Sequence, residues 1–113
     1  MLHVVGDVRN KHCIIVDDIV DTAGTLTNGA RALLDKKNGA KSVSACCSHG
    51  VLSGPAIDRI TSSSIEELVV TDTIILSDAA AACGKIRNLS VAGLLAEAIE
   101  RTHQARSVSE LFL

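Results

Sequence analysis

The residues with the clearest potential for chemistry lie in one short segment, where carboxylates and hydroxyls stand side by side. Acids occupy Asp17, Asp18 and Asp21, and a turn of small residues from Thr22 to Thr25 follows. An apolar run precedes the segment and a helical pattern follows it, so the turn is predicted to join a strand to a helix. Unpaired backbone N–H groups at a helix N-terminus attract anions. The turn is therefore predicted to bind phosphate.

The composition of the turn narrows the kind of phosphate. Gly24 allows close approach of a ligand to the backbone, while the Thr22 and Thr25 hydroxyls can donate to phosphate oxygens, with Ala23 between them. The chain has no G-x-x-x-x-G-K-[ST] sequence of the kind that cradles triphosphates. The turn is therefore predicted to suit a single terminal phosphate better than a triphosphate.

The acids suggest what else the ligand carries. On an extended segment, Asp17 and Asp18 point to opposite sides, and a carboxylate can accept hydrogen bonds from a vicinal diol or hold water bound to Mg²⁺. Ribose 5-phosphate has both a diol and a terminal phosphate. Asp21 is expected to brace the amides of its own loop. In the alternative interpretation, Asp21 and Thr22 only cap the helix, and the other two acids end a strand in solvent.

The elements that must position this segment alternate between strands and helices. The first predicted helix runs from Leu26 to Lys37, with Leu26, Ala30, Leu33 and Leu34 on one face, two lysines in its last turn and a stop at Asn38-Gly39. Further helices are predicted from Ser53-Gly54-Pro55 through Ile60, from a Ser77 cap to Gly84, and after a Ser90 cap with Val91, Leu94, Leu95, Ala98 and Ile99 on one face. Glu97 and Arg101 are predicted to pair at i, i+4 on the last of these helices. Strands are predicted over His12–Val16, Ser42–Ser48, Glu67–Thr71 and Ile86–Ser90.

This alternation predicts an α/β fold with a largely parallel sheet and flanking helices. Ligands of such sheets bind beyond the carboxyl ends of the strands. The segments expected there are Asp17–Thr25, His49–Gly54 and Asp72-Thr73. The acid-and-turn segment is thus predicted to lie where a site should be.

Composition limits the class of protein. The 113 residues suit one domain, 47% are apolar, and Phe112 is the only aromatic residue. A net charge of −2 without aromatic stacking platforms argues against nucleic acid, and no apolar run is long enough to span a bilayer. The four cysteines lack a C-x-x-C pair and are expected to be reduced, which predicts a cytoplasmic location.

Several stretches together resemble a known family. Val16–Thr25 resembles the phosphoribosyl pyrophosphate signature of the type I phosphoribosyltransferase fold, which is Rossmann-like. The phosphoribosyl pyrophosphate synthetases (ribose-phosphate diphosphokinases) are similar at Val4–Val8, Ser48–Ile57, Val69–Ile74, Leu89–Ile99 and the tail Ser107–Phe112. The resemblance covers nearly the whole chain.

The resemblance implies diphosphoryl transfer from ATP, with Mg²⁺, to the anomeric hydroxyl of ribose 5-phosphate. Asp21, Thr22, Ala23, Gly24 and Thr25 would hold the 5-phosphate. Asp17 would bind the ribose hydroxyls, and Asp18 would support the site from beside it.

The resemblance also implies that the tail has a role. Ser107, Ser109 and Phe112 correspond to an ADP or phosphate regulatory site between subunits, so a homo-oligomer or an assembly with a full-length synthetase is expected. Without the resemblance, the tail would be interpreted as a frayed end. His49 is interpreted as a hydrogen-bonded structural residue, and Asp72 and Thr73 have no assigned role.

The chain departs from the family in length. It resembles only the C-terminal part, as one partial domain over residues 1–113 that lacks its first strands. The ATP site, the protein ligands of Mg²⁺ and the catalytic Lys/Arg loop are expected upstream, so no catalytic or metal-binding residue is assigned here. The chain is expected to be marginally stable, self-associating or dependent on a partner. Two alternatives stay open: a non-catalytic module that binds phosphate or ADP, and a salvage phosphoribosyltransferase fragment.

Overall fold

The computed structural model describes residues 3–113, which alternate strictly between strands and helices. The strands are β1 (His12–Val20), β2 (Ser42–Gly50), β3 (Ile65–Thr71) and β4 (Ile86–Leu89). The helices are α1 (Gly24–Leu34), α2 (Ala56–Ser62), α3 (Asp78–Ala82) and α4 (Ala92–His103), followed by a 3₁₀ turn over Ser109–Phe112. The predicted order of elements is confirmed.

The sheet is parallel throughout and has the order β1-β2-β3-β4. Each strand lies beside its predecessor, so right-handed crossovers place the connecting helices on one face. Val43, Ala45 and Cys47 of β2 are buried in the core that this face shares with α1 and α2. On the opposite face of β1, Ile14 and Val16 are 69% and 75% exposed. The sheet is therefore covered on one side at β1 and open on the other.

The core is aliphatic, as the composition predicted. Its largest fully buried side chains are Val43, Ile60, Ile65, Leu68 and Val70. Leu26 and Ala30 of α1 are buried with them, and Leu33 and Leu34 pack against the same cluster. The predicted apolar face of α1 is confirmed.

Strand β1 is longer than predicted. The sequence pattern predicts an end at Val16, but the strand continues to Val20, because backbone pairing with β2 persists through Asp17↔Cys47 and Val20↔Gly50. Strand β2 likewise continues two residues past Ser48. Ladder pairing between parallel strands thus outweighs the low strand propensity of the two aspartates.

Helix α1 is shorter than predicted. It ends at Leu34, where Asp35 takes φ −55° and ψ 144°, and the basic residue of its last turn is Arg31 instead of Lys36 or Lys37. The N–H groups of Asn38 and Gly39 both donate to the Asp35 carbonyl, at 2.9 and 2.7 Å. This closed turn replaces the predicted final helical turn.

Helices α3 and α4 follow the sequence with small differences. Ser77 caps α3 through a 3.2 Å hydrogen bond from the Ala80 N–H, but the helix ends at Ala82 before reaching Gly84. Strand β4 ends at Leu89, and Val91 instead of Ser90 is the N-cap of α4. Among the described helices, none is long and apolar enough to cross a membrane.

Candidate functional site

The turn between β1 and α1 is tight and conformationally strained. Only Asp21, Thr22 and Ala23 separate the two elements. Ala23 is buried and takes φ +63°, a left-handed conformation that costs energy for any residue except glycine. It is the N-cap of α1, and no side chain caps the helix. The interpretation in which Asp21 and Thr22 only cap the helix is therefore wrong, and the first-turn N–H groups of α1 stay available for an anion.

A pocket opens at this turn, at the carboxyl end of β1. Its volume is about 260 Å³, and it is lined by Asp17, Ile19, Val20, Asp21, Thr22, Ala23, Gly24, Thr25 and Leu26. The lining brings Asp17 together with the whole predicted phosphate turn. Asp18 is outside the lining, as alternation along a strand requires.

The two adjacent acids are in different environments. An Asp17 carboxylate oxygen accepts the Asp18 N–H at 2.8 Å, and an Asp18 carboxylate oxygen accepts the Ile19 N–H at 2.9 Å. A hydrogen bond with the Asp17 side chain, followed by the bond from the Ile19 N–H, lowers the pKa of Asp18. Asp17 faces the pocket, and Asp18 stands beside it as a readily ionised neighbour.

Asp21 does not brace its own loop, contrary to expectation. Its carboxylate accepts a hydrogen bond from the Ser53 hydroxyl, and its carbonyl accepts the Ser53 N–H at 3.0 Å. The N–H groups of Val51 and Leu52 donate to the Val20 carbonyl at 3.0 and 3.2 Å. Because β2 runs beside β1, the segment after β2 meets the turn, and these four bonds hold the two together.

Sequence reasoning missed Ser53 and Arg59 as residues that contact the site. The sequence places Ser53 at a helix start and within His49–Gly54, one of the segments expected at the strand ends, but assigns it no contact. Arg59, on the exposed side of α2, donates from Nη1 to the Thr22 carbonyl at 3.1 Å. These contacts join residues 32 and 37 positions apart. No local spacing pattern indicates these contacts. The only signal in the sequence is that a serine and an arginine follow the predicted strand β2.

His49 is hydrogen-bonded, as predicted. Its Nδ1 lies 2.7 Å from the Thr73 hydroxyl, which also donates to the Ser48 carbonyl at 3.2 Å. Asp72 forms a bridge with His49, and its carboxylate accepts the Val91 N–H at 2.8 Å, which lowers its pKa. Asp72 thereby ties the end of β3 to the start of α4.

The predicted regulatory residues lie in a separate cluster at the C-terminal tail. The Ser107 and Ser109 hydroxyls are 3.0 Å apart, and Phe112 is 71% exposed. Arg101 of α4 donates to the Ser107 carbonyl at 3.0 Å and to Glu110 at 3.3 Å, while the predicted Glu97 pair holds it at 2.9 Å. The tail is thus tied to α4, and the structure does not place it in the lining of the turn pocket.

The cysteines and acids form no further site within residues 3–113. All four thiols are free, with Cys46 and Cys47 on opposite faces of β2. Burial raises the pKa of the Cys47 thiol, which suits a core residue more than a nucleophile. No group of three potential metal-ligating side chains is present in this described part of the chain.

Comparison with known proteins finds matches along nearly the whole chain. The sequence profile of the phosphoribosyl synthetase-associated domain matches residues 1–113. A ribose-phosphate pyrophosphokinase of Bordetella pertussis is 58% identical over 112 residues, which are 99% of this chain and 36% of that protein. One from Coxiella burnetii is 54% identical over 113 residues, all of this chain and 35% of the relative.

A solved structure has the same fold. The crystal structure of phosphoribosylpyrophosphate synthetase from Mycobacterium smegmatis superposes with a TM-score of 0.82 at 37% identity. The match covers 89% of this chain and 33% of that one. The chain spans about a third of the length of the curated relatives it matches. With the profile matching along its full length, the chain belongs to the phosphoribosyl synthetase-associated domain family.

Proposed function

We propose that the chain is the C-terminal phosphoribosyltransferase-type portion of a ribose-phosphate diphosphokinase and supplies its ribose 5-phosphate site. The observation that carries the proposal is the pocket in which the Asp17 carboxylate faces the turn Asp21–Thr25. One wall suits a diol and the other suits a phosphate, so the two ends of a single ligand would satisfy both. Relatives named ribose-phosphate pyrophosphokinase support the same substrate.

In the proposed reaction, this chain binds and orients the acceptor. The turn amides and the Thr22 and Thr25 hydroxyls hold the 5-phosphate, and Asp17 accepts hydrogen bonds from the ribose hydroxyls. The anomeric oxygen then attacks the β-phosphorus of ATP, the bond from that phosphorus to the α,β-bridging oxygen breaks, and AMP leaves as the hydroxyl loses its proton. Catalysis of this kind depends mainly on positioning and neutralisation of charge.

Magnesium fits the donors present. Mg²⁺ is commonly held by one or two carboxylates together with waters and substrate phosphates. The carboxylates of Asp17 and Asp18 are exposed oxygen donors at the pocket or beside it and would hold magnesium-bound water. The ion would neutralise charge on the transferring diphosphate. The ATP-binding and catalytic groups are proposed to lie in the part of the enzyme beyond this chain.

The same proposal includes a cellular location, a regulatory site and a partner subunit for the protein. Four free thiols suit a reducing cytoplasm. The tail cluster of Ser107, Ser109 and Phe112 is proposed to bind ADP or phosphate as a regulator at a contact between subunits. The partner is a second copy or a full-length synthetase.

The function is tested by complementation. AMP release that depends on ATP and ribose 5-phosphate is measured for the chain alone and with the rest of a synthetase supplied as a separate polypeptide. Activity is expected only in the complemented protein. Activity of the chain alone would overturn the assignment of catalytic groups to the supplied part. Failure of the complemented protein to bind ribose 5-phosphate would overturn the turn assignment.

A second candidate is a non-catalytic module that binds phosphate or ADP while associated with a synthetase. It is favoured by the tail cluster, which is held by Arg101 and is separate from the turn pocket. ADP titration separates the two functions. Under this alternative, ADP binds and regulates the complex, and complementation restores no AMP release.

A further inference from the structure

The proposed phosphate turn has an unfavourable local charge. Residues 17–25 contain three aspartates and no lysine, arginine or histidine. A phosphate bound beside these carboxylates would be repelled by them, and the segment itself would offer only neutral donors, the backbone amides and the threonine hydroxyls, to attract it. A cation contributed by another element would offset this repulsion.

Arg59 of α2 is placed to supply that cation. Its Nη1 donates to the Thr22 carbonyl at 3.1 Å. The guanidinium also lies against Gly24, since a Cβ built on that glycine would be 3.1 Å from Arg59 Nη1 and 3.7 Å from its Cζ. Gly24 therefore makes room for the arginine as well as for a ligand.

The guanidinium approaches the turn from outside the ligand pocket. Arg59 lines a neighbouring groove between α1 and α2, together with Gly24, Thr27 and Arg31, and is absent from the lining of the turn pocket. In a trans peptide, the C=O and the next N–H point in opposite directions. A Thr22 carbonyl fixed toward Arg59 therefore directs the Ala23 N–H away from the arginine, and the bound cation polarises that peptide as a stronger donor.

We propose that Arg59 is a positioning residue for the ribose 5-phosphate site. It holds the Thr22–Ala23 peptide in its phosphate-binding orientation and offsets the three carboxylates of the segment, acting through the turn without touching the ligand. This role rests on the proposed function of the turn. Arginine suits the position because its planar guanidinium presents several donors in a fixed geometry.

The first test compares Arg59→Gln and Arg59→Lys with Arg31→Gln. Arg31 lines the same groove, and its only described side-chain hydrogen bond is to Asn28 of its own helix, so its loss removes the same charge without breaking a bond to the turn. Calorimetric titrations use inorganic phosphate and ribose 5-phosphate. Arg59→Gln is expected to lower the affinity for both ligands by a similar factor of roughly three to ten, which is the effect of losing one hydrogen bond. Arg59→Lys should recover part of this loss, and Arg31→Gln should stay close to wild type. Equal losses for both glutamine variants would overturn a specific role for Arg59.

A second readout is independent of the ligand. Amide hydrogen exchange of residues 22–25 is measured without phosphate and is expected to be faster in Arg59→Gln, with the amides of β3 unchanged. Unchanged exchange in the turn would overturn the positioning role even if affinity fell. If the wild-type protein bound neither inorganic phosphate nor ribose 5-phosphate, the function proposed for the turn would be wrong. The exchange data alone would then decide whether Arg59 orders the turn.

A double-mutant cycle tests the contact with Gly24. The methyl group introduced by Gly24→Ala would lie 3.1 Å from Arg59 Nη1 and would shift the guanidinium by a few tenths of an ångström, so Gly24→Ala and Arg59→Gln disturb the same contact. The double variant is expected to bind phosphate about as weakly as the weaker single variant. Fully additive losses in phosphate affinity would contradict the coupling between the two residues.

Discussion

Asp17 and Asp18 are adjacent acids in different environments. Asp17 lines the turn pocket, whereas Asp18 is outside the lining and has its pKa lowered by hydrogen bonds with the Asp17 side chain and the Ile19 N–H. Strand alternation alone separates them, so this difference was predictable from the sequence. The same reasoning failed at Asp21, because its partner Ser53 comes from a segment 32 residues away.

Asp17→Asn is predicted to weaken the binding of ribose 5-phosphate more than the binding of inorganic phosphate. Loss of a carboxylate acceptor for the diol should reduce ribose 5-phosphate affinity roughly tenfold and phosphate affinity less than about twofold, the scale of one charge-assisted hydrogen bond. Calorimetry with both ligands measures the ratio. Asp18→Asn is the matched control and should change the ratio little. Equal losses of both ligands in Asp17→Asn would contradict the diol role.

Asp72 is predicted to make the folded protein less stable at acidic pH. Its carboxylate accepts the Val91 N–H, and its folded pKa lies below the ordinary value of 3.8. The stabilisation is therefore complete above pH 3.8 and is lost as the pH falls through the lower folded value. Thermal unfolding between about pH 2 and pH 7 should show a smaller fall in Tm for Asp72→Asn than for wild type.

The control for that series is Asp58→Asn, which changes an exposed acid on α2. It should retain the acid sensitivity of the wild-type protein. Parallel Tm profiles for wild type and Asp72→Asn would show that the bond to α4 contributes nothing.

At the scale of elements, β2 and β3 approach closely where Gly50 meets Val70. A Cβ on Gly50 would lie 2.9 Å from Val70 Cγ1, and the Val70 side chain is fully buried and cannot move aside. Gly50→Ala is therefore predicted to reduce the free energy of unfolding by about 1–3 kcal/mol through overpacking. Urea denaturation measures the loss, and Val70→Ala in the same chain should recover part of it.

Gly93→Ala is the control at this scale. Gly93 lies in α4 with open space where a Cβ would be, so alanine should leave stability unchanged or raise it by up to about 1 kcal/mol. A Gly50→Ala variant as stable as Gly93→Ala would contradict the close approach of the two strands.

The order of elements was predictable because hydrophobic periodicity is local, and the apolar face of α1 was confirmed residue by residue. Element ends were less predictable. Strand β1 continues through Asp17 and Asp18 because β2 pairs with it, and a closed turn on the Asp35 carbonyl ends α1 early. The two contacts that shape the turn, from Ser53 and Arg59, depend on strand order and could not be found by spacing.

At the scale of the whole molecule, two apolar surfaces are uncovered. One is the outer face of β1 at Ile14 and Val16, which are 69% and 75% exposed. The other is the α4 surface formed by Leu94, Leu95 and Ile99, which are 44%, 54% and 70% exposed. Helix α4 has no buried residue. Contiguous exposed apolar surface and an open edge strand both favour association.

The isolated chain is predicted to self-associate. Light scattering after gel filtration should give an average mass that rises with concentration, and the double variant Val16→Lys/Ile99→Glu should reduce this association. Ile75→Glu changes a side chain that is 93% exposed but is outside both surfaces, and it should have little effect. A wild-type chain that stays monomeric at every concentration, unfolds cooperatively and resists protease would contradict this prediction.

The most direct test of the proposed ribose 5-phosphate site is an NMR titration of the complemented protein with only the 113-residue chain isotopically labelled. Ribose 5-phosphate, inorganic phosphate and ribose are added separately. The two phosphate ligands should shift the amides of residues 22–25, with ribose 5-phosphate binding more tightly and also shifting Asp17, whereas ribose alone should bind weakly. Binding of ribose 5-phosphate that leaves residues 17–25 unshifted, or no binding at all, would contradict the site.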